Sequence, residues 1–225
     1  MVRVRTSRGR LFFCLLAFLP LLGAVASNPA HGQVPEYGGK AQSSVAPKEQ
    51  TAVLAGGCFW GVDAVFKHVR GVSTVVSGYA GGSAATAHYE VVSSGTTGHA
   101  ESVKITYDPS QVSYAELLRI FFSVAHEPTE LNRQGPDTGP QYRSAIFYTT
   151  EEQKDTALGY IEQLTKANVF PGPIVTQVVA LQGFYPAEEY HQNFLALHPN
   201  YPYIVFYDLP KLRALKKEFP GVYKP

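Results

Sequence analysis

The group in this chain best suited to nucleophilic chemistry is Cys58, which follows Gly56-Gly57 and precedes Phe59-Trp60. A cysteine behind two glycines at the start of a helical pattern meets backbone N–H groups that have no partner inside the helix. The positive end of the helix dipole then favours thiolate over thiol. Taken alone, such a residue fits a nucleophile and a buried structural thiol equally well. Its neighbours weigh toward chemistry: Phe59 and Trp60, the latter the only tryptophan of the chain, can wall the sulfur with aromatic surface. Core packing is the competing use of each ring.

A carboxyl is the second group of interest. From Glu101 to Tyr107, residues Val103, Ile105 and Tyr107 share one strand face and Ser102, Lys104 and Thr106 the other, which puts Glu101 with the apolar set. A carboxyl turned into an apolar interior has its ionised form disfavoured, so it stays protonated near neutral pH, ready to donate. On parity alone, a glutamate at the strand's edge that reaches water is the simpler reading. The glycine-punctuated stretch from Asn132 to Arg143, with Asp137, Gln141, Tyr142 and Arg143, suits either the frame of a site or a solvated connector. His191 and His198 fall near one predicted helix face without a nearby cysteine or second histidine pair. No metal is expected there, and no phosphate-binding glycine motif occurs.

The elements that must position these groups follow from periodicity. Thr51 to Ala55 reads as a buried strand closed by Gly56-Gly57, and Val62, Val65, Phe66 and Val69 recur at helical spacing up to Gly71, so Cys58 falls in a first helical turn. Strands are predicted at Val72–Tyr79 and Glu101–Tyr107. Ser113 and Glu116 cap a helix with Leu117, Leu118, Phe121, Phe122 and Ala125 on its apolar face, stopped by Pro128. A strand at Ser144–Tyr148 leads through the cap residues Thr150 and Gln153 into a helix bearing Leu158, Ile161 and Leu164. A strand near Val175–Ala180 and a last helix from Ala187 to about Leu197 complete the pattern. This order predicts an α+β fold: a two-layer sandwich of helices packed on a mixed or antiparallel sheet, ferredoxin-like in its layers.

Composition sets the setting. With 225 residues and 45% hydrophobic content the chain can bury one sizeable core, and 19 basic against 18 acidic residues give no field for nucleic acid. Arg3, Arg5, Arg8 and Arg10 precede an apolar run from Leu11 to about Ala26, the layout of a secretory signal peptide. That run is shorter than the roughly 20 residues of a spanning helix and contains Pro20. Residues 1–26 are therefore expected to be a signal cleaved before Ser27, residues 27–50 a flexible segment rich in Pro, Gly, Ser and Gln, and residues 51–225 the catalytic domain. The product would be periplasmic or extracellular, with no stable membrane insertion. Removing the signal also removes Cys14, leaving Cys58 as the only thiol and no internal disulfide.

Gly57-Cys58-Phe59-Trp60-Gly61 resembles the active-site signature of the peptide methionine sulfoxide reductase A (MsrA) family. The similarity continues through Gly78-Tyr79-Ala80-Gly81-Gly82, Tyr89-Glu90-Val91-Val92, Gly98-His99-Ala100-Glu101 and Tyr107-Asp108-Pro109. It resumes at Leu131-Asn132-Arg133-Gln134-Gly135, Gln141-Tyr142-Arg143-Ser144 and Ala187-Glu188-Glu189-Tyr190-His191-Gln192, in matching order and spacing. The resemblance implies an MsrA-type fold and reduction of methionine-S-sulfoxide, free or in proteins, to methionine, a repair of oxidative damage. It implies Cys58 as nucleophile, Glu101 as acid, Tyr89 and Tyr142 as hydrogen-bond donors to the sulfoxide oxygen, Asp137 as a further polar residue, and Phe59 and Trp60 as holders of the substrate methyl group. No bound cofactor is implied.

Many members of the family carry further cysteines near the C-terminus, whereas Tyr201 to Pro225 has none. A one-cysteine type follows, whose sulfenic acid needs an external thiol: a thioredoxin-like protein, a glutaredoxin-like protein or a small thiol. The expected partners are oxidised proteins or peptides and this reductant, with the enzyme itself a monomer. His126-Glu127-Pro128 stands where His-Asp-Pro is usual, and Pro136 and Pro140 stiffen the loop that carries Asp137 and Tyr142. Two other classes compete: a thiol peroxidase, which has no use for Glu101 on an apolar face, and a secreted binding module that holds an apolar side chain without needing a titratable thiol.

Overall fold

The computed structural model describes residues 33–39 and 49–225. The signal-peptide reading lies outside the described residues. Within the segment expected to be flexible, residues 33–39 lie against the domain. Val34 is buried, its carbonyl accepts from Arg119 Nε at 3.2 Å, and Tyr37 meets Tyr160 edge-on with ring centroids 5.6 Å apart.

Strand β1 (Gln50–Gly56) runs straight into helix α1 (Phe59–Lys67), and β2 (Val72–Ala80) follows. A short helix α2 (Tyr89–Val92) precedes β3 (Ala100–Tyr107). Helix α3 (Tyr114–Ile120) continues as a π-helical turn through Ala125, and the small hairpin β4 (Arg133–Gln134) and β5 (Asp137–Thr138) leads to β6 (Ser144–Tyr148). Then come α4 (Glu151–Lys166), β7 (Gln177–Ala180), β8 (Phe184–Pro186), α5 (Phe194–Leu197) and α6 (Leu209–Glu218). The six-stranded sheet has the order β7-β6-β1-β3-β2-β8, with β6 and β7 parallel and every other pair antiparallel.

Strand parity decides which residues see the helices. Leu54, Val103, Ile105 and Ile146 lie in the main core with Val62, Phe66, Leu118 and Tyr160 of the helices, while Val53, Ala55, Ala145 and Phe147 form a smaller cluster on the opposite face. The expected two-layer α+β sandwich is the one observed. Both predicted caps form: Ser113 accepts from the Glu116 N–H at 3.1 Å, and Thr150 accepts from the Gln153 N–H at 3.2 Å.

Three expectations need correction. In α4 the buried stripe is Gln153, Ala157, Tyr160 and Leu164; Leu158 is 47% exposed, because it sits about 100° around the helix from Ala157. The segment from Ala187 to Leu197 is not one helix. Asn193 adopts φ 55°, and this left-handed residue separates a 3-10 turn at Glu189–His191 from α5. The last helix is α6, a segment the sequence reading passed over although Pro210 in its first turn and Leu212 and Leu215 mark it.

The turn from β1 to α1 sets the whole geometry. Gly57 takes φ +89°, and a Cβ built on it would meet Gln134 Cβ at 2.5 Å. Gln134 is itself fixed, accepting from the Glu127 N–H at 2.9 Å and donating to the Glu127 carbonyl at 2.7 Å. Beyond the turn, α1 is anchored by Phe59, Val62, Val65 and Phe66, each at most 1% exposed and each contributing about 1.5–3 kcal/mol of burial. Gly57→Ala is accordingly expected to lower unfolding stability in urea by on the order of 2 kcal/mol or more, from positive-φ strain plus the clash with Gln134.

Candidate active site

Cys58 is the N-cap of α1, with φ −53° and ψ 122°. The first amide of that helix is not left to solvent: the Phe59 N–H donates to Glu101 Oε2 at 3.1 Å. Glu101 is 2% exposed on the helix-covered face of β3, paired across the sheet with Tyr79. The strand-edge alternative for this glutamate is thereby excluded. Burial pushes its carboxyl up to about 8; the Phe59 N–H opposes the rise, and the nearby Asp137 charge adds to it. At neutral pH Glu101 is a protonated acid, and because Oε2 accepts from Phe59, Oε1 is the oxygen left to carry the proton.

The thiol departs from the expectation of a dipole-stabilised thiolate. Cys58 is 8% exposed, and burial pushes its ionisation well above the ordinary cysteine range, helped by the charges of Glu101, Asp208 and Asp137. The Trp60 backbone N–H pulls the other way, yet the thiol makes no capping hydrogen bond to the helix. One partial dipole charge is outweighed by desolvation together with the charges of Asp208 and Asp137, so the resting sulfur is a thiol.

The remaining expected residues converge here. Tyr89 opens α2, its backbone N–H donating to Glu188 Oε1 at 2.9 Å. Tyr142 ends a 3-10 turn that begins at Pro140. Both phenols are half-buried, and both are held in their neutral, donating form first by burial and then by the charges of Glu101, Asp137 and Cys58 among others. Asp137 accepts from the Tyr203 hydroxyl, and burial raises its carboxyl. Phe59 is 1% exposed and Trp60 half-buried, stacked on Phe194 with centroids 3.7 Å apart and planes at 4°.

The loop from Asn132 to Arg143 divides its labour. Arg143 donates to the carbonyls of Gly98 at 2.8 Å and His99 at 3.0 Å, and Gln141 donates to the Ser93 carbonyl at 3.1 Å, so these two fasten the loop while Asp137 and Tyr142 face the site. Pro136 follows Gly135 (φ 56°) in the two-residue turn between β4 and β5, and Pro140 starts the 3-10 turn; both fit without a broken ladder bond.

Sequence reading missed the C-terminal contribution. Tyr203 sits beside Trp60 with centroids 5.9 Å apart and bonds to Asp137. Asp208, fully buried, lies 3.7 Å from Lys211 Nζ and so close to α1 that a Cβ on Gly61 would come within 2.2 Å of its Oδ1. Burial raises Asp208 to about 6, with Lys211 opposing. Only recognition of α6 would have brought these residues to the site. Among the described residues no helix is long and apolar enough to cross a membrane, and no group of three or more His, Cys, Asp or Glu is arranged to hold a metal ion.

One thiol, one neutral carboxyl and several phenols gathered on an α+β sandwich are the equipment of a thiol-dependent oxidoreductase. The family model described as peptide methionine sulfoxide reductase matches residues 50–221. The chain is 60% identical over 178 residues to peptide methionine sulfoxide reductase MsrA 2 of Mesorhizobium japonicum, covering 79% of this chain and 91% of that one. It is 50% identical over 177 residues to MsrA of Thermus thermophilus, covering 79% and 99%. Among solved structures, methionine sulfoxide reductase A of Corynebacterium diphtheriae superposes with a TM-score of 0.60 at 34% identity, covering 69% of this chain and 77% of that one. Mxr1 of Saccharomyces cerevisiae in reduced form gives 0.63 at 32%, covering 68% and 88%. The chain belongs to the peptide methionine sulfoxide reductase A family, and is an oxidoreductase of that kind.

Asp208, ionised at pH 8, opposes ionisation of the thiol. Asp208→Asn is therefore expected to speed alkylation of Cys58 by iodoacetamide at pH 8, by up to about tenfold for each pKa unit recovered. A rate no faster than that of the wild type would deny the carboxylate this influence.

Proposed function

We propose that Cys58 attacks the sulfur of methionine-S-sulfoxide while Glu101 protonates the departing oxygen. The observation that carries this reading is the buried carboxyl, neutral at pH 7, seated on the N–H of the residue next to the thiol. A sulfoxide sulfur becomes a good electrophile only when its oxygen is protonated or strongly hydrogen-bonded. Glu101 gives its proton to that oxygen, and Tyr89 and Tyr142 donate to it as charge builds. Attack forms a bond between Cys58 Sγ and the substrate sulfur; the protonated oxygen then passes to Sγ as that S–S bond and the substrate S–O bond both break, releasing methionine and leaving Cys58 as a sulfenic acid.

The raised thiol fits this sequence of events. Because Glu101 must be neutral to act, its charge does not oppose the thiol in the resting pair; once it has delivered its proton, the carboxylate is the base that takes the thiol's. The net change is Cys–SH plus sulfoxide to Cys–SOH plus thioether, with no proton gained or lost. Phe59 and Trp60 hold the methyl group, and exchanging methyl and oxygen sets a polar oxygen against those rings without a partner, which disfavours the other epimer.

Recycling then draws on an outside thiol in this reading, because Cys58 is the only free cysteine among the described residues. One thiol forms a mixed disulfide with Cys58 and releases water, and a second thiol restores Cys58 as a disulfide leaves. A thioredoxin-like protein, a glutaredoxin-like protein or a small thiol can fill this role. Repair of oxidised proteins after export, in a periplasm or outside the cell, is the setting we propose on the leader-like residues 1–26.

With dithiothreitol as reductant, the protein is expected to convert methionine-S-sulfoxide to methionine and Cys58→Ser to abolish this; faster turnover of hydrogen peroxide than of sulfoxide would favour a peroxidase instead. Glu101→Gln is expected to slow the single-turnover reduction by on the order of a hundredfold or more. In the wild type that first step should fall as pH rises through about 8, where Glu101 loses its proton, and a rate that instead climbs through this range would contradict the acid role.

A further inference from the structure

The stretch Ala187–Gln192 has no part in the chemistry above, yet its side chains reach into the site. Glu188 accepts two hydrogen bonds, from the Tyr89 backbone N–H at 2.9 Å and from the Tyr79 hydroxyl at 2.8 Å. Burial alone would raise this carboxyl, but these bonds outweigh it and hold it below its ordinary value, so it is ionised. His191, three residues on, accepts at Nδ1 from the indole Nε1–H of Trp60 at 3.2 Å. Gln192 ties the segment to β2, accepting from the Ser77 N–H at 3.0 Å and donating to the Ser77 carbonyl at 2.9 Å.

His191 is more than a hydrogen-bond acceptor at the back of an indole. It is 3% exposed, and its ring lies 4.3 Å from that of Tyr89 and 5.0 Å from that of Phe59, centroid to centroid. Burial lowers its basicity, and with Nδ1 accepting, the neutral ring carries its proton on Nε2. Phe194, two residues beyond that stretch at the start of α5, stacks on Trp60. One short run of chain thus determines the orientation of Trp60 and the seat of Tyr89, which come from elements far apart in sequence.

We propose that Glu188 and His191 are positioning residues that set the specificity of the sulfoxide site, by fixing the methyl-facing indole relative to the oxygen-facing phenol. This rests on the function proposed above. A sulfoxide sulfur presents an oxygen and a methyl group in a fixed handed arrangement, so discrimination depends on the distance and angle between the two surfaces that receive them. An indole hinged at two torsions loses that angle unless its far edge is held, and Trp60 Nε1 is held by His191. Placement within about 0.5 Å and 10–20° is what such a site demands.

The test uses the full chain with N-acetyl-methionine sulfoxide of each epimer and dithiothreitol. His191→Leu removes the acceptor at similar volume, whereas His191→Asn keeps an oxygen close to the Nδ1 position. His191→Leu is expected to raise KM for the S epimer about tenfold and to lower the S-over-R ratio of kcat/KM by a similar factor, the size set by one buried hydrogen bond. The single-turnover rate at saturation should change much less. Trp60 is the only tryptophan, so its indole N–H gives one resonance; it should shift in His191→Leu and return toward the wild-type position, with KM, in His191→Asn.

Unchanged KM and epimer ratio in His191→Leu would overturn the proposal, as would loss of specificity in His191→Asn equal to that in His191→Leu. The wild type supplies a check that needs no variant. Its indole N–H should resist solvent exchange, and free exchange would also overturn the proposal. Absence of sulfoxide turnover in the wild type would instead remove the parent reading, a result distinct from loss of discrimination in the variants.

Discussion

One desolvated space holds both the thiol of Cys58 and the carboxyl of Glu101, joined through the Phe59 N–H that donates to the carboxyl at 3.1 Å. In water a carboxyl of this kind ionises near 4 and a thiol near 8.5. Here burial moves both upward, so the pair rests uncharged at neutral pH. That inversion is the condition of the chemistry. A sulfoxide needs a proton donor at its oxygen and a sulfur nucleophile at the same instant, and a site that ionised its acid first could supply only the second. Since the two groups interact, their titrations belong to the pair rather than to either residue.

The fold works to hold this unfavourable arrangement. Glu101, Asp208 and Cys58 are all nearly or wholly removed from solvent, and the two carboxyls would be more stable ionised in water. The aromatic and β-branched anchors of α1 offset this cost and fix the first turn of the helix against β3. Gly57 permits the turn, and Gln134 closes over it. Lys211 tempers the Asp208 charge. The C-terminal segment, which carries no cysteine, serves the site through Tyr203, Asp208 and Lys211.

Much of this was legible in the sequence. The period-two pattern after Glu101 placed it among apolar residues, and the capping pairs Ser113/Glu116 and Thr150/Gln153 marked two helix starts where they occur. What periodicity could not reveal was ionisation. The N-terminal position of Cys58 argues for a thiolate, and burial, reinforced by carboxyls gathered from β3, β5 and the start of α6, reverses that. Nor could local pattern reveal Asn193 in a left-handed conformation, which breaks the apparent helix from Ala187 and lets Glu188 reach Tyr79 and Tyr89 while His191 and Phe194 hold Trp60. Long-range hydrogen bonds such as that from Trp60 to His191 span 131 residues and leave no local trace.

Glu101 must be protonated at neutral pH for this chemistry to run. Infrared difference spectra between the wild type and Glu101→Gln, recorded as a function of pH, address it directly. A protonated-carboxyl C=O stretch assignable to Glu101 should be present at pH 7 and disappear with a midpoint near 8. Carboxylate bands at pH 7, with the protonated band emerging only in the ordinary acid range, would contradict the account.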